Sequence, residues 1–178
     1  MKFTVEKNTL LKSLSHVQSI VEKKNTLPIL SNILLDAKEN SLILSATDMD
    51  ISITEKLNCN IIEEGSTTVS AHTLYDIIRK LPDTSEIEII SNDGKIISLR
   101  SGKSKFSLGC LPKKDFPIIE ISDLEIEINI DSHKFLRLMD KTRFAISNEE
   151  TRYFLNGIYF HKKKEDHSNL LSVVATDG

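Results

Sequence analysis

Thr67-Thr68-Val69-Ser70-Ala71-His72-Thr73-Leu74-Tyr75-Asp76-Ile77-Ile78-Arg79-Lys80-Leu81 reads as a short strand running straight into a helix. Thr67 to Ser70 suit an extended backbone, Leu74 and Ile78 fall four apart on one helical face, and Pro82 cannot continue the helix. The same arrangement stands 64 residues earlier, with Val5 matching Val69, Leu10 matching Leu74 and Leu14 matching Ile78. There a strand at Lys2 to Glu6 leads into a helix of about Lys7 to Val21, whose Leu10, Leu14, Val17 and Val21 share one face. Three strand-like stretches follow each helix: about Ser31 to Ala37, Ser41 to Ala46 and Asp50 to Leu57, then about Glu86 to Ser91, Lys95 to Arg100 and Lys105 to Cys110. Lys38-Glu39-Asn40 and Asn92-Asp93-Gly94 supply hairpin turns. A strand-helix-three-strand unit thus occurs twice, which predicts an α+β fold with two helices packed side by side on antiparallel sheets of about eight strands.

A longer repeat lies over this one. Phe3-Thr4-Val5-Glu6, Leu10, Leu11, Lys12 and Leu14 reappear as Ile128-Asn129-Ile130-Asp131, Phe135, Leu136, Arg137 and Met139, an offset of 125. The offset holds from Leu30–Leu35 to Leu155–Phe160, and a loop four residues longer then brings Ala46-Thr47-Asp48 onto Ala175-Thr176-Asp177. A period of this length is that of a domain rather than a solenoid repeat. Leu111-Pro112 and Phe116-Pro117 mark an extended connector. The expected organisation is a complete first domain at 1–122 and, at 123–178, the N-terminal part of a second copy.

Composition narrows the class. Hydrophobic residues at 39% with 28% charged describe a soluble globular protein, and no apolar run approaches the roughly 20 residues that span a bilayer. Met1 to Lys7 lacks the apolar stretch of a secretory signal, so the cytoplasm is the expected location. Cys59 and Cys110 stand far apart without clustered histidines, too few ligands for zinc, and no metal or cofactor is expected. A net charge of -3 argues against a generally basic nucleic-acid binder, yet leaves room for basic residues gathered on one face.

Few residues suggest chemistry. Ser101-Gly102-Lys103-Ser104 resembles the tail of a phosphate-binding loop, but Ile97 stands where its first glycine belongs and a strand follows, so the segment reads as a hairpin turn. Asp48 and Asp50, near Glu55, offer carboxylates for a metal-dependent nucleic-acid hydrolase, against which stands the turn-like sequence around them. The five histidines are scattered and no catalytic constellation emerges, so a non-enzyme is expected. The helices carry more: Lys134, Arg137 and Lys141 make a basic stripe opposite Phe135, Leu138 and Met139, Lys12 lies on the polar side of the first helix, and Arg79 and Lys80 end the second. Copies packed in series would bring these faces onto one surface.

Met1-Lys2-Phe3-Thr4-Val5-Glu6, Thr26-Leu27-Pro28-Ile29-Leu30, Arg100-Ser101-Gly102, Phe106-Ser107-Leu108, Asp115-Phe116-Pro117, Leu155-Asn156-Gly157 and Ala175-Thr176-Asp177-Gly178 together resemble the bacterial DNA polymerase III beta subunit family, the sliding clamps, from Met1 to Gly178. The resemblance implies a DNA-clamp fold and a non-catalytic processivity factor. In such a factor, a homodimer of three-domain protomers closes a ring around duplex DNA. Helices line the hole, and the ring tethers the replicative polymerase and meets the clamp loader through clamp-binding peptides. It implies sequence-independent DNA contacts at Lys24, Arg79, Arg137 and Lys141, to which the helix-face reading adds Lys12. It also implies a ring-closing surface at Ile77, Leu81, Phe106 and Leu108, rimmed by Lys103 and Lys105. A partner-peptide pocket falls on Arg152, Phe154, Leu155, Thr176 and Gly178. The chain departs from the family at three places: Thr73 replaces a basic interface residue, Phe154 a tyrosine, and Glu149 a DNA contact that is often glutamine. Since a third domain and part of the pocket would lie beyond Gly178, this chain by itself is expected not to close a ring. A standalone module that binds such peptides without DNA is a further reading.

Overall fold

Phe3 and Val5 alternate with Lys2, Thr4 and Glu6, so the first strand, β1 (Lys2–Glu6), turns two large apolar side chains inward. The structure is a computed structural model that describes residues 1–22, 26–83, 85–118, 128–165 and 168–178. It divides into two units, Met1–Glu120 and Ile121–Gly178.

In the first unit β1 runs into α1 (Lys7–Val17), which buries Leu10, Leu14 and Val17 completely. The helix tightens into a 3-10 turn at Gln18–Ile20 and is extended by Val21, whose side chain still reaches the core, so the apolar spacing continues four residues past the α-helix. The strands β2 (Asn32–Lys38), β3 (Ser41–Thr47) and β4 (Ser52–Asn58) form a meander, its first turn made by Glu39 and Asn40 at positive φ. The second repeat supplies β6 (Gly65–Ser70), α2 (Ala71–Lys80), β7 (Glu86–Ser91), β8 (Ile96–Ser101) and β9 (Ser104–Leu111). Between them lies β5 (Asn60–Glu63), a strand not expected from the sequence. It is separated from β4 by Cys59 alone, and its short, mostly exposed Asn60-Ile61-Ile62-Glu63 carries too little alternation to stand out.

The repeats do not pack as two separate sheets. Each gives its leading strand to the other's meander: β1 pairs antiparallel with β7, and β6 with β2. The two groups of four then join through β9, which pairs with β8 along Ser104–Gly109 and with β6 through Cys110 and Leu111. β5 repeats that closure on the other side, Asn60 and Ile61 facing Thr4 and Phe3. The result is one nine-stranded antiparallel ladder in the order β4-β3-β2-β6-β9-β8-β7-β1-β5.

Both helices and the inward faces of both meanders feed a single core that includes Phe3, Leu10, Leu14, Ile33, Leu35, Leu42, Leu44, Leu74, Ile78, Ile87, Ile89 and Ile97. Several of its buried polar groups are paired, while the Ser91 and Ser101 hydroxyls have no partner. Asn32 Nδ2 donates to Thr68 Oγ1 (3.0 Å), which donates on to the Leu111 carbonyl (2.8 Å) and pins β2, β6 and the end of β9 together. Lys7 is buried up to its ammonium, which meets the exposed Asp83 carboxylate at 2.6 Å. The Met1 ammonium donates to the Ser91 carbonyl (2.9 Å) and pairs with Glu63 (3.2 Å). Gly65, at φ +155°, lies so close that a Cβ there would sit 2.9 Å from the Met1 Cβ.

In the second unit α3 (Ser132–Thr142) starts at Asp131, whose carboxylate accepts from the Lys134 amide at 3.1 Å. A 3-10 segment at Glu150–Leu155 follows, then the hairpin β10 (Tyr159–Glu165) and β11 (Ser168–Val174). Phe135 of α3 stacks on Phe160 of β10 with ring centroids 6.1 Å apart. Ile128–Ile130 repeat the residues of β1 without forming a strand: β1 is held between β7 and β5, and among the described residues of this unit no equivalent strands flank them.

Candidate nucleic-acid and subunit interfaces

The polar faces of α1 and α2 are set by the buried ones. Leu10, Leu14, Leu74 and Ile78 point into the core, which leaves Lys12 and Arg79 exposed on two helices that pack against each other. Between the end of α1 and α2 runs a polar groove of about 540 Å³ lined by Gln18, Ser19, Val21, His72, Tyr75, Asp76 and Arg79. His72 Nε2 lies 2.9 Å from the Val21 carbonyl and ties the helix to the segment that follows α1. Arg79 is held on two sides, by Asp76 Oδ1 at 3.1 Å and by the Tyr75 ring, whose centroid is 5.7 Å from the guanidinium carbon. Lys24 lies outside the described residues. Arg137 and Lys141 belong to the second unit, where Lys134, Arg137 and Lys141 are all exposed on α3. Asp76 and Tyr75 were not singled out from the sequence; the three-residue spacing of Asp76 and Arg79 is the signal that could have found the first.

On another side of α2 a cavity of about 410 Å³ brings together Ile77, Leu81 and Phe106 with Thr73, Asp76, Lys80, Pro82 and Ser104. Three of the six residues expected to close the ring thus gather where the end of α2 meets β9. Phe106 and Leu108 alternate with exposed Lys105 and Ser107, and their half-buried side chains pack against the core. Lys103 lies in the exposed β8–β9 turn and Lys105 on the outer face of β9. Neither lines the cavity, and neither does Leu108. Thr73, where the family carries a basic residue, works locally: its hydroxyl accepts from the N-cap Ser70 Oγ at 3.0 Å.

The residues that the resemblance assigns to a partner-peptide pocket come from two places in the second unit. Arg152, Phe154 and Leu155 lie in the 3-10 segment, which kinks at Arg152 (φ -113°, ψ 49°), and Thr176 and Gly178 follow β11. Gly178 donates its amide to Thr176 Oγ1 (3.2 Å) and leaves room for Arg152, whose Nη1 a Cβ at 178 would strike. Glu149 takes Arg152 in both oxygens, from Nε at 2.8 Å and Nη2 at 2.6 Å. Those hydrogen bonds hold the Glu149 carboxyl below its ordinary pKa and raise that of Arg152. Glu149 therefore does not stand as a free charge. Phe154 is 71% exposed, edge-on to Tyr153 at 5.9 Å.

Two of the three carboxylates that suggested metal chemistry, those of Asp48 and Glu55, are otherwise engaged. Asp48 Oδ1 accepts the amides of Asp50 (3.0 Å) and Ile51 (2.7 Å) and shapes the β3–β4 turn, while Glu55 meets His16 Nδ1 at 2.7 Å. Among the described residues no three His, Cys, Asp or Glu side chains are placed to hold a metal ion. Ser101 and Ser104 pair across the β8–β9 hairpin with Gly102 at φ +53°, a turn and not a phosphate loop.

Residues 1–120 match the family described as DNA polymerase III beta subunit, N-terminal domain, and residues 129–178 match its central domain. The chain is 49% identical over 179 aligned residues to the beta sliding clamp of Caulobacter vibrioides strain NA1000 / CB15N, covering all of this chain and 48% of that protein. It is 38% identical to the beta sliding clamp of Escherichia coli strain K12, with the same shares covered. The crystal structure of the C. crescentus beta sliding clamp superposes with a TM-score of 0.95 at 49% identity, over all of this chain and 48% of that one. The Bartonella birtlesii sliding clamp bound to griselimycin does so at 0.95 and 47%, over 99% and 47%. The chain spans about half the length of the curated relatives it matches. With a duplicated strand-helix-three-strand unit, a helical face carrying Lys12 and Arg79, and family matches along nearly its whole length, the chain belongs to the DNA polymerase III beta subunit family.

Proposed function

We propose that this chain serves as the N-terminal and central part of a DNA sliding clamp, a non-catalytic cytoplasmic scaffold that encircles duplex DNA and tethers the replicative polymerase. The observation that carries the reading is its 49% identity along the whole chain to a protein named beta sliding clamp. In this reading Lys12, Lys24, Arg79, Arg137 and Lys141 face the duplex. The cavity around Ile77, Leu81 and Phe106, with Leu108, Lys103 and Lys105 beside it, is the half of the ring-closing surface that one protomer supplies to its homodimer. Arg152, Phe154, Leu155, Thr176 and Gly178 receive the peptides of the polymerase and the loader, and the griselimycin bound by a relative supports a ligand site in the family. No helix among the described residues is long and apolar enough to cross a membrane.

Mobility along DNA needs attraction to phosphate without base readout, which lysine and arginine on helix faces provide and which salt weakens. The test is titration of the chain into two labelled duplexes of unrelated sequence at several salt concentrations. Equal affinity for both is expected, and the combined glutamine variant of Lys12, Arg79, Arg137 and Lys141 should flatten the log–log salt slope by up to about 3.6, at about 0.9 per phosphate contact. A preference for one duplex, or a slope that the variant leaves unchanged, would overturn the reading.

A further inference from the structure

We propose that Asp76 competes with DNA phosphate for Arg79 and so sets how weakly the helical face holds a duplex. The inference rests on the reading of that face as DNA-facing. Arg79 and Asp76 are three residues apart on α2, which keeps guanidinium and carboxylate adjacent in any rotamer that spans the 3.1 Å contact. Both side chains are more than half exposed, 57% and 56%, so the pair is open to an incoming ion. Tyr75, under the guanidinium at 5.7 Å, restrains its swing and holds it at the rim of the 540 Å³ groove.

At a distance the pair presents no net charge, so Arg79 adds nothing to long-range attraction. A phosphate oxygen within hydrogen-bonding reach gives the guanidinium a second anionic partner, and Arg79 transfers from carboxylate to phosphate without leaving the tyrosine. Moving the duplex along by one phosphate reverses the transfer, so the arginine is never left unpaired. Because an exposed ion pair shifts an equilibrium by at most about fivefold, the competition weakens binding without abolishing it. Asp76 is thus a positioning residue that acts through Arg79.

The experiment uses the 178-residue chain and a fluorescein-labelled duplex of about 20 base pairs, with anisotropy read across a salt series of the kind that exposes counterion release. Asp76→Asn should tighten binding about two- to fivefold. It should also steepen the salt slope by up to about 0.9. Arg79→Gln should weaken binding, adding Asp76→Asn to it should recover only part of the gain that Asp76→Asn gives in the parent, and Asp76→Glu should keep the parent behaviour. An Asp76→Asn gain that persists in full beside Arg79→Gln would reduce Asp76 to a general negative charge and overturn the proposal. So would an unchanged affinity for Asp76→Asn where Arg79→Gln weakens binding. If Arg79→Gln itself has no effect, the DNA-facing reading fails, and the proposal with it. Asp76→Ser carries the same comparison if far-UV circular dichroism shows that Asn disturbs α2.

Discussion

Replacing Leu10 or Leu74 by alanine tests whether the duplicated unit folds as one body. The two leucines occupy the same place in the two repeats, and both are 0% exposed. Each substitution removes about three buried methyl or methylene groups, about 2.4 kcal/mol at about 0.8 each. A residual cavity of about 50 Å³, at about 24 cal/mol per Å³, adds about 1 kcal/mol. Each single variant should therefore lose about 3 to 4 kcal/mol, a large part of the roughly 5 to 15 kcal/mol that holds a domain folded. Because β1 belongs to the β7–β9 meander and β6 to the β2–β4 meander, the loss cannot stay in one repeat. Hydrogen exchange followed by mass spectrometry, on peptides from residues 1–120, should show protection falling by the same free energy in β2–β4 and in β7–β9 for either variant. Protection lost in only one meander, or a cost under about 1 kcal/mol, would refute the shared core.

Gly65→Ala should destabilise the first unit by about 2 kcal/mol, because it combines an unfavourable φ with a close approach to Met1. Gly109→Ala, which meets nothing within 4 Å, should be nearly neutral, and urea titration of both variants measures the difference. Asp83, Asp93 and Glu149 are held below their ordinary pKa chiefly by hydrogen bonds from Lys7, from the Lys95 amide and from Arg152. Depressed folded-state values stabilise the protein at neutral pH, and that contribution should fade as pH falls below about 4 toward the folded pKa values. Asp93→Asn keeps an oxygen for the turn amides and removes the titration, so the urea midpoint should fall less steeply with acid; an unchanged acid limb would count against the assignment.

Strand and helix positions were legible wherever apolar spacing was regular. Leu10, Leu14 and Val17 gave α1, and Leu74 and Ile78 gave α2, because burial on one side imposes a helical period. That period also misled: Val21 reaches the core from an extended residue, so spacing alone extended α1 past Val17. The exchange of β1 and β6 was not legible, since alternation in Phe3 and Val5 says which way side chains point and nothing about which strand lies alongside. At the candidate sites, Arg79 stood out as a basic residue and Glu149 as an acid where the family often has glutamine, whereas Asp76 and the pairing of Glu149 with Arg152 were not visible. A charge seen in sequence has no address until a helix turn puts its counter-ion within reach. Asp48 shows the reverse, a carboxylate that suggested a ligand and is consumed by two backbone amides.

The strand exchange bears on what the smallest self-sufficient folded body is. A single strand-helix-three-strand unit has a meander missing its fourth strand and a leading strand with nowhere of its own to pair. Such a unit becomes complete only when two copies trade leading strands. A single unit on its own could complete both sheets only as a strand-swapped pair. Having both units in one chain makes that exchange intramolecular, with Glu64 alone between β5 and β6. The smallest self-sufficient body in this chain is therefore two units rather than one.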